Sequence, residues 1–186
     1  MFFAPTVVFV EGPEDLAYIT TYMGLLDLWD EYRRLGCHVV PVDGKGFMIQ
    51  PLAIARCLAI PAFAVFDADG HEERCDRRKQ HEGDNLAILA LCGVPNADAF
   101  PSATFWHECC VMWPTEIEKV VENEIGRAQW RDFRAQADKE FGHTSGLRKT
   151  PLHVARTLQL AWDAGSKSPS LEQLCQAIIE FAHNHT

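Results

Sequence analysis

The sequence predicts an α/β fold: a mostly parallel sheet flanked by helices, with a helical C-terminal extension. Short apolar, β-branched runs alternate with helical patterns from residue 6 to about 118, the order that builds a parallel sheet through crossover connections. From about Gly126 onward only helical patterning remains. A third observation bears on chemistry as well as fold. Acidic signatures stand where apolar runs stop: Glu11 in VVFVEGPED, Asp43 in DGKG, and Asp67 with Asp69 in FAVFDADG.

Residues 6–10 (TVVFV), bounded by Pro5 and Gly12, read as a buried strand. Pro13, Glu14 and Asp15 open a helix, because proline suits a first turn and acids there complement the helix dipole. That helix is expected to reach about Arg34, with Leu16, Ile19, Met23 and Leu26 at helical spacing and Gly24 as a candidate break. Gly36 ends it. Residues 37–42 (CHVVPV) form a second strand, which Pro41 assigns to an edge or a strand end.

Asp43-Gly44-Lys45-Gly46 is a tight turn into a helix over about 47–58, and residues 62–66 (AFAVF) are a third strand. A charge-rich segment then leads to an apolar helix over about 85–91. More strand is expected within 104–113, chiefly 109–113, before a helix that starts at Thr115-Glu116-Ile117-Glu118. Helices over about 128–141, 152–164 and 171–183 follow, the last two joined by a short linker at 165–169. No internal repeat interrupts this order.

A chain of 186 residues can bury a sizeable single core, and 47% hydrophobic with 23% charged residues is the composition of a globular protein. No stretch approaches the roughly 20 apolar residues that span a bilayer. Met1-Phe2-Phe3 lacks the basic start of a signal peptide, so a cytoplasmic location is expected. Seven cysteines, scattered and without a CxxC pair, fit a reducing compartment. Cys109 and Cys110 beside His107 raise the question of zinc. Adjacent cysteines on a strand point to opposite faces and make a poor tetrahedral site, so none is expected there. The net charge of −9 argues at first against nucleic acid. Bound divalent ions would neutralise clustered carboxylates, and basic residues bunch at Arg33-Arg34, at Arg74 with Arg77-Arg78-Lys79, and at Arg148-Lys149. Charge alone excludes no partner.

Carboxylates at the ends of buried strands are costly unless a cation gathers them. A parallel sheet brings such ends to one edge, where ligands bind. Asp15 lies one helical turn beyond Glu11, so both can face one site. Asp67 and Asp69, two apart, lie on the same side of an extended segment and can clamp Mg²⁺ or Mn²⁺. Each pair alone has a plainer reading as turn or helix-cap chemistry; their conjunction at successive strand ends favours metal and phosphate chemistry.

VEGPED, then VDGKG, then FDADG resembles the Toprim fold of primases, topoisomerases, recombination mediators and nucleases. Within it, the chain is most similar to the C-terminal nuclease domain of the OLD (overcoming lysogenisation defect) family, whose first motif reads EGPxD. The resemblance is specific over about 6–70, moderate to about 125 and weak in the helical tail. It implies a Toprim catalytic domain over 1–125 and a helical extension over 126–186, packed on or beside it. It further implies a two-metal phosphodiesterase acting on DNA, with Glu11, Asp15, Asp67 and Asp69 holding two Mg²⁺ or Mn²⁺ ions. The family's further acid after the fourth strand corresponds best to Glu118 in WPTEIEK, with Glu116 on the preceding turn; both also suit a helix's first turn. Lys149 in GLRKT is the candidate cation for the transition state, or a partner for a helix C-terminus.

Lys45 could touch DNA phosphate or stay solvated, and Arg77, Arg78 and Lys79 could track a nucleic-acid backbone or form a solvated helix face. His71, beside Asp69, is the histidine expected nearest the site. OLD proteins ordinarily carry an ATPase ahead of the Toprim region. This chain has no GxxxxGK[ST] phosphate loop, so no ATP site is expected in it. An upstream ATPase in a longer protein, or one that has been lost, remains open, as does the oligomeric state. The other readings are a topoisomerase- or primase-type module, or a non-catalytic one, acting in DNA repair or replication. Transesterification needs a nucleophilic tyrosine, and Tyr18, Tyr22 and Tyr32 all fall on the first helix.

Overall fold

The computed structural model describes residues 5–141 and 150–185. Among them, β1 (Thr6–Val10), β2 (Cys37–Pro41), β3 (Ala62–Asp67), β4 (Phe105–His107) and β5 (Cys110–Trp113) form one sheet in the order β2-β1-β3-β5-β4. The first four in that order run parallel, and β4 closes the edge antiparallel to β5. The helices are α1 (Pro13–Leu25), α2 (Trp29–Arg34), α3 (Lys45–Cys57), α4 (Cys75–Leu91), α5 (Ile117–Ile125), α6 (Arg127–Glu140), α7 (Pro151–Asp163) and α8 (Pro169–Asn184). The α/β class and the helical C-terminal part are therefore as the sequence indicates.

The central strands read as continuous apolar runs because both their faces are covered. Val8 and Val10 of β1 and Phe63 and Val65 of β3 pack with α1, α5, α7 and α8. The alternate residues Val7, Phe9, Ala64 and Phe66 pack with Met48 and Leu52 of α3 and Ile88 and Leu89 of α4. β2, at the edge, alternates instead: Cys37 and Val39 are buried and His38 is exposed. The late helices share the first of these cores. Phe181 of α8 meets Phe63 edge-on at 5.4 Å, and the Tyr22 hydroxyl accepts the Ser168 N–H at 2.7 Å.

Three elements differ from expectation. The first helix stops at Leu25, with Gly24 still helical; Asp27 takes φ 58 and the chain restarts as α2. α4 begins at Cys75, not near 85, because its charged first half projects into solvent and only Asn85, Ile88 and Leu89 are buried. Apolar periodicity cannot reveal a helical turn that buries nothing. Cys109 is not on a strand but in the turn between β4 and β5.

Candidate metal centre

The acidic signatures meet at the edge of the sheet where β1, β2, β3 and β5 end. Asp67, the last residue of β3, donates its backbone N–H to Glu11 Oε1 at 2.7 Å, which fixes the two acids against each other. Asp15 Oδ2 accepts the Gly12 N–H at 2.8 Å, so the contact that starts α1 also holds this carboxylate beside the site. Gly44 N–H donates to the Glu11 carbonyl at 2.8 Å and ties the turn after β2 to the end of β1. Asp43 and Asp69 adopt left-handed backbone, with φ of 60 and 55, a conformation aspartate tolerates better than most residues.

The fourth acidic segment is drawn in by backbone bonds. Ala68 N–H donates to the Trp113 carbonyl at 2.7 Å and Gly70 N–H to the Pro114 carbonyl at 3.1 Å. A Cβ on residue 70 would itself lie 3.1 Å from the Pro114 oxygen, so glycine permits the approach. From beneath, buried Asn85 donates through Nδ2 to the carbonyls of Ala68 at 2.9 Å and Ala99 at 2.8 Å. Glu116 and Glu118, at the start of α5, thereby come to stand beside Asp67 and Asp69.

The result is an open cleft of about 360 Å³ that Glu11, Asp15, Asp67, Asp69, Glu116 and Glu118 all line, together with Glu14 and Asp43. Burial pushes Glu11 up to about 7, against the opposing pull of the Asp67 N–H and Lys45, and pushes Asp15 up to about 6. Asp67 is raised well above the carboxylate range, by burial first and then by Glu11. Two cations reach the acids from outside the cleft wall. Lys45 Nζ donates to the Asp67 carbonyl at 2.6 Å and to Asp69 Oδ2 at 2.7 Å, and Arg134 of α6 pairs with Glu118. His81 of α4, not the exposed His71, brings its Nδ1 to 3.1 Å from Asp69 Oδ2.

Eight carboxylates thus face two close cations, and desolvation opposes ionisation of three of them. A dense set of oxygen donors with surplus negative charge is chemistry that fits hard divalent ions.

The candidate nucleic-acid contacts fare differently. Lys45 is 4% exposed and turned inward, because two acceptors under the cleft hold its ammonium; it is not a surface phosphate contact. Arg78 is also committed, donating to the Gly70 carbonyl at 2.8 Å and lying over the Phe100 ring at 4.1 Å. Arg77 is exposed, 3.8 Å from Glu72, and Lys79 is exposed. Lys149 lies outside the described residues. Sequence reasoning passed over Arg127, Arg131 and Arg134, which surround a separate cleft of about 220 Å³ on α6. Their spacing of four and three was the available signal. It also passed over Asn85 and His81. Tyr18, Tyr22 and Tyr32 are at most 5% exposed, so none presents a nucleophile to a substrate.

Residues 2–69 match the family described as overcoming lysogenization defect protein-like, TOPRIM domain. This segment is similar to an OLD-like TOPRIM domain. The match takes in Glu11, Asp15, Asp67 and Asp69. The C-terminal region of the Xanthomonas campestris pv. campestris OLD protein is similar over 100% of this chain and 99% of that one, with a TM-score of 0.65 and 16% identity. The corresponding region of the Burkholderia pseudomallei OLD protein covers 98% of each chain, with a TM-score of 0.55 and 18% identity. At such identities the likeness is one of fold, and it extends beyond residues 2–69 through the late helices. No curated protein matches the chain. Among the described residues no helix is long and apolar enough to cross a membrane.

Proposed function

We propose that this chain is a divalent-metal-dependent nuclease that hydrolyses DNA phosphodiesters. A single observation carries the reading: Glu11 and Asp67, from segments 56 positions apart, are locked together at the head of an acidic cleft. An OLD-like TOPRIM domain implies a metal-binding role in nucleic-acid processing, and the donor set suits that role. Glu11, Asp15, Asp67 and Asp69 would hold two Mg²⁺ or Mn²⁺ ions, with Glu116 and Glu118 completing the set. Such ions supply Lewis-acid charge at the phosphate and lower the pKa of a bound water.

The chain's own groups prepare the site. The Asp67 N–H orients Glu11 through one oxygen. Lys45 fixes the Asp69 carboxylate and withdraws part of the negative charge that would repel a phosphate. Arg134 sets the direction of Glu118, and Arg127 and Arg131 beside it offer the duplex backbone a basic track. Lys149 would place positive charge where the departing oxygen develops negative charge. A cytoplasmic location and an ATPase unit in a longer protein belong to the same proposal.

Supercoiled plasmid incubated with Mg²⁺, Mn²⁺ or Ca²⁺ tests it, comparing the wild type with Glu11→Ala and Asp67→Ala. Cleavage should require Mg²⁺ or Mn²⁺ and disappear in both variants while circular dichroism is unchanged. Equal cleavage by wild type and variants would overturn the assignment.

A further inference from the structure

A second cluster of ligating atoms lies at the opposite edge of the sheet. The sulfur atoms of Cys92, Cys109 and Cys110 are all within 4.8 Å of one another. Cys92 caps the C-terminal end of α4, Cys109 sits in the turn after β4, and Cys110 opens β5 beside Ala64, three residues before the acidic end of β3. The objection that neighbouring cysteines diverge holds only when both are extended. The turn frees Cys109 to face the same way as Cys110, and the third sulfur arrives from a different element. At the end of β4, His107 places Nδ1 3.3 Å from Cys109 Sγ.

We infer that Cys92, Cys109 and Cys110 form a binding site for a thiophilic cation, Zn²⁺ foremost, with His107 as the available fourth ligand. Tetrahedral zinc with Zn–S bonds of about 2.3 Å sets its sulfurs roughly 3.8 Å apart, so a cluster within 4.8 Å closes by small side-chain movements. Three sulfurs and an imidazole are a Cys₃His set, the donor chemistry of structural zinc sites rather than of Mg²⁺. All seven cysteines are free, and burial of Cys92 and Cys110 shields the cluster from competing ligands.

A way in exists as well. Cys92 and Cys109 line a cleft of about 280 Å³ with Arg56, Glu108 and His185. Arg56 donates to the carbonyls of Ala90 at 3.1 Å and Leu91 at 3.2 Å, which puts fixed positive charge beside the end of α4 where thiolates would gather. A bound ion would cross-link α4 to the β4–β5 hairpin, two elements separated by the loop from 92 to 104.

Cd²⁺ is the probe, because sulfur ligation gives an ultraviolet charge-transfer band that carboxylates do not produce. Reduced protein titrated with Cd²⁺ should show the band with one ion per chain, and Zn²⁺ should abolish it by competition. The band should persist in Asp67→Asn and vanish in Cys109→Ser, a partly exposed turn position. Zn²⁺ affinity should fall by more than about 100-fold in that variant, since even residues that only support a ligand are worth roughly 10–100-fold. Zn²⁺ should also raise the melting temperature of the wild type but not of Cys109→Ser. Absence of the band, or its survival in both Cys92→Ser and Cys109→Ser, would overturn the assignment. So would a mass showing that two of these thiols are already joined as a disulfide in protein kept under reductant.

Discussion

Glu11→Gln should make the metal-free protein more stable at pH 8 while abolishing cleavage. Burial raises the Glu11 carboxyl from an ordinary value of 4.5 to about 7. At pH 8 the unfolded chain carries that charge in water, whereas the folded chain must carry it desolvated. The gap corresponds to roughly 3 kcal/mol. Because the folded value is the raised one, this cost is absent below pH 4.5, grows as pH rises from there and is complete above about 7. Glutamine keeps an oxygen for the Asp67 N–H, now 2.7 Å from Glu11, and directs its amide at the neighbouring carboxylates. For a chain of this length each kcal/mol moves the melting temperature by about 2–4 °C, so the variant should melt roughly 6–12 °C higher at pH 8. Thermal unfolding after EDTA treatment, at pH 4.5 and pH 8, measures this. The gap should close at the lower pH, and Mn²⁺ should stabilise the wild type far more than the variant. A variant no more stable than wild type at pH 8, or a gap indifferent to pH, would refute the claim that Glu11 is held against its desolvation cost.

Three further outcomes are expected. Metal-free wild type should lose stability between about pH 4 and 7, because Asp15, raised to about 6, and Glu11, raised to about 7, ionise in the unfolded chain before they do in the fold. Mg²⁺ at 100 times its dissociation constant should return about 2.7 kcal/mol at pH 8, and a flat metal-free profile would contradict this. Asn85→Ala removes the bonds that tie the Ala68 and Ala99 carbonyls together and should cost roughly 2–3 kcal/mol in urea unfolding while lowering plasmid cleavage; unchanged values would deny it a positioning role. Arg127→Ala and Arg131→Ala should weaken binding of a labelled duplex and each lower the salt dependence by about one ion, read by anisotropy across a salt series. An unchanged slope would remove α6 from the DNA-binding face.

Much of the fold was legible because each central strand is covered on both faces. TVVFV and AFAVF can be little else, and the acids that follow them mark the sheet edge at which they end. The six acids of the expected site line one cleft for that reason. What stayed hidden depends on groups that announce themselves only in three dimensions. Lys45 looks like a turn lysine until the acceptors beneath the cleft are in place. Asn85 sits where a polar stretch meets the apolar run of its helix, so neither the helix's charged first half nor the burial of Asn85 could be read. Glu118 was found as an acid but not as the partner of Arg134, which comes from a helix beyond the next glycine. Cys109 was read on the wrong element, because a three-residue strand and a two-residue turn look in sequence like one longer strand.

Lys45 is a counter-ion that cannot diffuse away. Chelation or dilution removes mobile cations, but the tethered ammonium stays beneath Asp67 and Asp69 and keeps their loop in shape. For the proposed metal ions, loading the cleft would then be a matter of shedding water from an arriving ion rather than rebuilding the protein around it.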